Sequence, residues 1–122
     1  MYPERRKTVR FLPHTETYVA LRPDFTKLGR LLDISRGGLA FKYIGPKEES
    51  RGPTHLDLFT GDNGFYLSRL PCKAVYDTSL LKKETSFPRL EPRRCALEFG
   101  DATEAQLRQL ELYLANHVAG EA

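Results

Sequence analysis

Leu32-Asp33-Ile34-Ser35-Arg36-Gly37-Gly38-Leu39-Ala40-Phe41 decides how this chain is read. Leu28-Gly29-Arg30-Leu31-Leu32 leads into it and Leu39-Ala40-Phe41-Lys42-Tyr43-Ile44 leads out, and both runs have strand length and strand-like side chains. The polar turn between them holds Gly37 and Gly38, which can take φ > 0 where other residues would clash. The stretch therefore predicts a hairpin with Asp33, Ser35 and Arg36 at its mouth. A carboxylate, a hydroxyl and a guanidinium fixed on a turn form a recognition surface. Upstream, Glu4-Arg5-Arg6-Lys7-Thr8-Val9-Arg10 is a basic arm expected to share that site.

Outward from the hairpin, residues 1–12 show neither helical nor strand period and read as an arm that orders on binding. Thr15 to Arg22 is β-branched and aromatic, a strand. His55-Leu56-Asp57-Leu58-Phe59 alternates, and Gly61-Asp62-Asn63-Gly64 is a hairpin signal. Phe65 to Tyr76 is a long β-like run in which Pro71 marks an edge or a bulge. Asp77 to Pro92 has no period and reads as an excursion before a last strand, Arg94 to Phe99. Thr103-Glu104-Ala105-Gln106 is a capping box. Leu107, Leu110, Leu114 and Val118 follow at helical spacing, with Gly120 as the stop and Leu112 on the opposite face. The expectation is one domain over 1–122: a basic arm at 1–12, a barrel of six antiparallel strands over 14–100, and a helix over 102–119.

The composition is that of a soluble globular domain, 40% hydrophobic and 29% charged, with no apolar run near the ~20 residues of a membrane span. The N-terminal basic residues are not followed by an apolar segment and are not expected to be a signal peptide, so the expected location is the cytoplasm. The net charge is +3, and its crowding into Arg5, Arg6, Lys7 and Arg10 suits an anionic ligand. Cys72 and Cys95 lack CxxC spacing and read as buried, reduced thiols. His14, His55 and His117 share no metal spacing, and neither a nucleophile elbow nor a phosphate loop is present. The chain is therefore expected not to be an enzyme.

Binding chemistry is better supplied. Arg6 and Arg10 stand four positions apart, about 6 Å on a helical turn or about 13 Å on one face of a strand. Arginine forks onto phosphate or onto guanine O6 and N7, and it stacks on flat rings. Asp33 accepts from guanine N–H groups, and Ser35 donates to a phosphate or accepts from a base. The set fits a guanine nucleotide with accessible phosphate.

Arg6-Lys7-Thr8-Val9-Arg10 followed by Asp33-Ile34-Ser35-Arg36-Gly37-Gly38 resembles the paired signature RxxxR and [DN]xSxxG of the PilZ domain, the bacterial receptor module for cyclic di-GMP. The strand Cys95 to Phe99 and the Leu-rich helix after it are similar to the family's ending, so the resemblance runs from Glu4 to about Val118. It implies a PilZ-type β-barrel with a C-terminal helix. It also implies a cyclic di-GMP site at Arg6, Arg10, Asp33, Ser35 and Gly38, to which Arg5 and Arg36 add charge. Two stacked ligands are expected, because Arg5 can neutralise or stack on a second one; a single ligand is the alternative. Ala96 stands where the family often has glycine. A receptor without an effector domain is expected to signal to a partner protein through its arm. The competing readings are a PilZ-like interaction module that binds no nucleotide and a small barrel that binds nucleic acid.

Overall fold

In the computed structural model of the chain, residues 9–22, 27–46, 52–62, 64–81 and 90–122 are described. They form eight strands and one helix: β1 (Phe11–Pro13), β2 (Thr17–Leu21), β3 (Leu28–Ile34), β4 (Gly38–Gly45), β5 (Pro53–Thr60), β6 (Tyr66–Ser79), β7 (Glu91–Phe99), α1 (Glu104–Asn116) and β8 (Val118–Glu121). The chain is mostly β. Six antiparallel strands run in the order β2-β5-β6-β7-β4-β3, and β2 pairs with β3 to close the barrel. Alternation along each strand buries Val19, Leu31, Leu39, Phe41, Leu56, Leu58, Leu67, Leu70, Cys95 and Leu97 in one core. Closure brings β3 hard against β4. A Cβ on Gly29 would lie 1.9 Å from the Lys42 carbonyl oxygen, so only glycine fits there.

The expected six-stranded barrel with a C-terminal helix is present, and two further strands join it. Phe11 and Leu12, read as arm, pair with Glu121 and Gly120 of β8, and Phe11 also faces Ile34 of β3. Gly120 is thus a strand residue and not the helix stop. The helix ends at Asn116, because Val118 must pair with Pro13. Asp77 to Ser79 continue β6, paired with Cys95 to Arg93 of β7, so the excursion is shorter than expected. Pro71 does not lie on an edge. The irregularity falls between Leu56 and Leu58 of β5, opposite Leu70 and Leu67, and beside it Arg69 has φ 53°. Buried Asp57 ties this kink down. It accepts the Arg69 amide at 2.9 Å, the Tyr66 hydroxyl at 2.7 Å and the Arg22 fork at 3.0 and 2.9 Å.

The two barrel ends are sealed by different chemistry. At one end α1 packs Leu110 and Tyr113 into the core, and the Tyr113 hydroxyl shares a 2.7 Å hydrogen bond with Thr17. Leu107, expected on the buried face, is 50% exposed in the first turn; Tyr113 takes the buried role because Thr17 satisfies its hydroxyl. The capping box forms as read, Thr103 Oγ1 accepting from the Gln106 amide at 3.1 Å. The Gln106 side chain also donates to the Ser68 and Arg69 carbonyls at 2.9 Å each, which fastens the helix to the β6 kink.

At the other end, Asp77, whose side chain is only 7% exposed, accepts from Lys27 Nζ and Arg93 Nε, both at 2.8 Å, and from the Tyr43 hydroxyl; Arg93 also pairs with Glu91. Among the described residues, every buried side-chain nitrogen and oxygen has a partner. Cys72 and Cys95 are buried free thiols, and burial pushes both pKa values up to about 12.

Asp77→Ala leaves Lys27 and Arg93 buried without their shared carboxylate. It is expected to cost about 3–5 kcal/mol in urea unfolding. Burial alone would raise the pKa values of Asp57 and Asp77. The cations and donors around each carboxylate outweigh that and hold both below the usual range. A folded-state pKa below the unfolded value adds stability that is complete above the unfolded pKa, about 4, and is lost as pH falls through the folded value. Thermal melts should therefore show a steep loss below about pH 4, and Asp57→Asn should flatten that slope.

Candidate functional site

The hairpin that opens the sequence reading runs from β3 into β4, and its turn is closed by Ser35. The Ser35 amide donates to the Gly38 carbonyl at 2.8 Å, while Ser35 Oγ accepts from the Gly37 and Gly38 amides at 3.1 and 3.2 Å. Ser35 is buried, and its hydroxyl organises the turn. The Gly37 carbonyl accepts from the Phe99 amide at 2.9 Å, which fixes the turn to β7. Gly38 is needed for a different reason from the one expected. Its φ is not positive. It lies in β4 against β7, where a Cβ would sit 2.2 Å from the Leu97 carbonyl oxygen.

Two strand irregularities aim the polar groups. In β3 the register shifts between Leu31, opposite Phe41, and Asp33, opposite Ala40. Without that shift, strict alternation would point Asp33 inward beside Leu31. With it, Asp33 shares the outer face with Ala40. In β6 the register shifts between Ala74 and Tyr76, and Tyr76 comes opposite Ala96 of β7. Ala40 and Ala96 are themselves direct partners. Asp33, Ala40, Ala96 and Tyr76 thus form one line across four strands, roughly 14 Å from end to end. The two alanines, with Gly38 beside them, make a low floor. Asp33 and Tyr76 stand at its ends, in a cleft of about 580 Å³ also lined by Arg10, Ser35, Val75 and Glu98.

Asp33 lies between two guanidiniums. Arg10 Nη1 is 4.0 Å from one carboxylate oxygen, and Arg94 Nη2 donates to the other at 3.1 Å. Arg94 Nε also donates to the Tyr76 hydroxyl at 2.9 Å, so one side chain spans both walls. Arg10 is placed by tertiary pairing: Phe11, the next residue, faces Ile34 in β3. Arg10, Asp33, Ser35 and Gly38 are therefore brought together as the sequence suggests. Arg36 is not in the cleft. It forks onto Glu111 of α1 at 2.7 and 3.0 Å, on the exposed side of the turn. Arg5 and Arg6 lie outside the described residues. The sequence reading missed Arg94 and Tyr76. The buried run Cys95 and Leu97 already puts Arg94 and Ala96 on the outer face, whereas Tyr76 could not be placed before the β6 bulge was seen.

No protein-family model matches the sequence, and no curated protein matches it. Solved structures are similar to it in fold. The chain is similar to the PilZ domain with c-di-GMP of YcgR from Escherichia coli, with a TM-score of 0.63 and 15% identity, over 88% of this chain and 87% of that one. It is similar to MrkH, described as a c-di-GMP-dependent transcription regulatory factor, with a TM-score of 0.63 and 17% identity, over 92% of this chain and 50% of MrkH. It is also similar to the inhibitor of motility MotI/DgrA of Bacillus subtilis, with a TM-score of 0.63 and 17% identity, over 91% of this chain and 49% of that one. The chain spans about half the length of the last two. It has the PilZ-type fold. Among the described residues, no helix is long and apolar enough to cross a membrane.

Gly38→Val forces a side chain into the β4–β7 backbone contact and is expected to lower stability by about 2–3 kcal/mol or more in urea unfolding. Ser35→Ala removes the turn's hydroxyl and should cost about 1–2 kcal/mol in the same measurement.

Proposed function

We propose that the chain is a receptor for cyclic di-GMP, that it is not an enzyme, and that it passes the signal to a partner protein. The observation that carries this reading is the row Asp33, Ala40, Ala96 and Tyr76 with Arg10 at its edge. A low floor lets a flat base approach the backbone, and the carboxylate at one end accepts from guanine N–H groups. Arg10, with Arg6, takes phosphate or the guanine O6/N7 edge. Tyr76 offers a ring at the far wall. Similarity in fold to the PilZ domain with c-di-GMP of YcgR supports the same ligand.

Ligand engagement of Asp33 displaces Arg94, because both use the same carboxylate. Arg94 thereby becomes a second cation for phosphate. The arm's conformational response falls on residues before Phe11, since β1 is paired to β3 and β8. Two ligands per chain fit the added charge of Arg5. Residues 1–122 act as one cytoplasmic PilZ-like unit in a bacterium, with no nucleic acid as its partner.

Calorimetric titration with cyclic di-GMP tests the reading. The parent should bind, at two equivalents, and Arg10→Ala and Asp33→Ala should each lose about 1–3 kcal/mol with thermal midpoints little changed. A parent that does not bind leaves the PilZ-like interaction module as the function. Saturation at one equivalent removes only the stacked pair.

A further inference from the structure

A second line of outward side chains crosses the barrel away from the cleft floor. Direct strand partners place Tyr66 of β6 beside Phe59 of β5, Phe59 beside Tyr18 of β2, Tyr18 beside Arg30 of β3, and Arg30 beside Lys42 of β4. Three aromatic residues are thus followed by two cations. The Phe59 ring centroid is 5.9 Å from those of both Tyr18 and Tyr66. Where the aromatics meet the cations, Tyr18, Leu28, Gly29, Arg30 and Phe59 line a groove of about 380 Å³. Leu28 is 55% exposed at its rim. Arg30 and Lys42 are exposed and make no ion pair among the described residues.

We propose that this row docks an amphipathic acidic helix of a partner protein. An aliphatic or aromatic side chain of that helix enters the groove, and carboxylates face Arg30 and Lys42. Those cations lie one and two strand spacings from Tyr18, about 5 and 10 Å. On a helix lying across the strands, residues one and two turns from the anchor fall at those spacings. Single-stranded nucleic acid fits less well. The Phe59 and Tyr66 rings are only 23° from parallel and stack on each other, which takes up faces that bases would need.

The surface names the partner chemistry for the receptor reading, and its link to nucleotide rests on that reading. Lys42 is the direct strand partner of Arg94, which holds Asp33. A nucleotide that takes Asp33 and draws Arg94 onto phosphate repositions the cation beside Lys42 and the docked carboxylates.

The test selects a displayed random-peptide library on the full chain. An enriched peptide is then titrated by fluorescence polarisation against the parent, Arg30→Glu, Leu28→Asp and the control Arg108→Ala on the exposed side of α1. Enriched sequences should share an apolar residue with Asp or Glu one turn away. Arg30→Glu and Leu28→Asp should each weaken binding by about tenfold or more, and Arg108→Ala should not. Both sites are exposed, so thermal midpoints should hold. Enrichment without acidic residues, no enrichment, or binding that survives both variants overturns the proposal, as does a single-stranded oligonucleotide that binds and is lost in Arg30→Glu. Cyclic di-GMP titration of the parent and Arg30→Glu runs alongside. A parent that binds acidic peptide but no nucleotide overturns the receptor reading and leaves the docking surface standing.

Discussion

Closure of the sheet between β2 and β3 is the constraint on which the rest depends. It leaves the six barrel strands with no free edge, so outward side chains have fixed circumferential neighbours wherever the strands pair in register. Closure also demands close backbone approach. Gly29 satisfies it where β3 is held between β2 and β4, and Gly38 satisfies it where β4 meets β7. A closed barrel packed with apolar side chains needs both ends sealed. A helix with a hydrogen-bonded tyrosine closes one end, and a buried set of paired charges around Asp77 closes the other.

The candidate site lies where the regular barrel is broken. An extra residue in β3 and another in β6 turn Asp33 and Tyr76 onto one outer face, with Ala40 and Ala96 between them. Bulges cost ladder hydrogen bonds but re-aim side chains without moving the strands on either side. The resulting floor is made of small residues because anything larger would fill the cleft. Alanine at position 96, paired with Ala40, keeps that floor low.

The outer surface then carries two cross-strand rows that meet at β4 and β7. One runs through Ala40 and Ala96 and is bounded by charge and ring. The other runs through aromatics to Arg30 and Lys42, and Arg94 stands beside both. In a closed sheet the only routes between such rows are side chains long enough to reach sideways. Arg94 has that reach, and its two present partners are the walls of the cleft.

Much of this was legible in the sequence. The hairpin around Asp33 to Gly38, the alternation in β5 and β7, the capping box and the single amphipathic helix follow from local periodicity and turn chemistry, which act over a few residues. The small-residue demand at Gly38 was also visible, although its cause is close strand packing and not turn conformation. Tertiary structure alone decided the rest. Phe11 and Leu12 carry no strand period, yet they become β1 because β8 and β3 offer unpaired backbone at that point. That pairing, nearly the whole chain apart, also ends the helix at Asn116 and sets Arg10 beside Asp33. Arg36, adjacent to the turn in sequence, goes instead to Glu111. A bulge shifts register by one residue and so exchanges inside for outside. No local pattern records such a shift, because it is fixed by what the neighbouring strands can pair with.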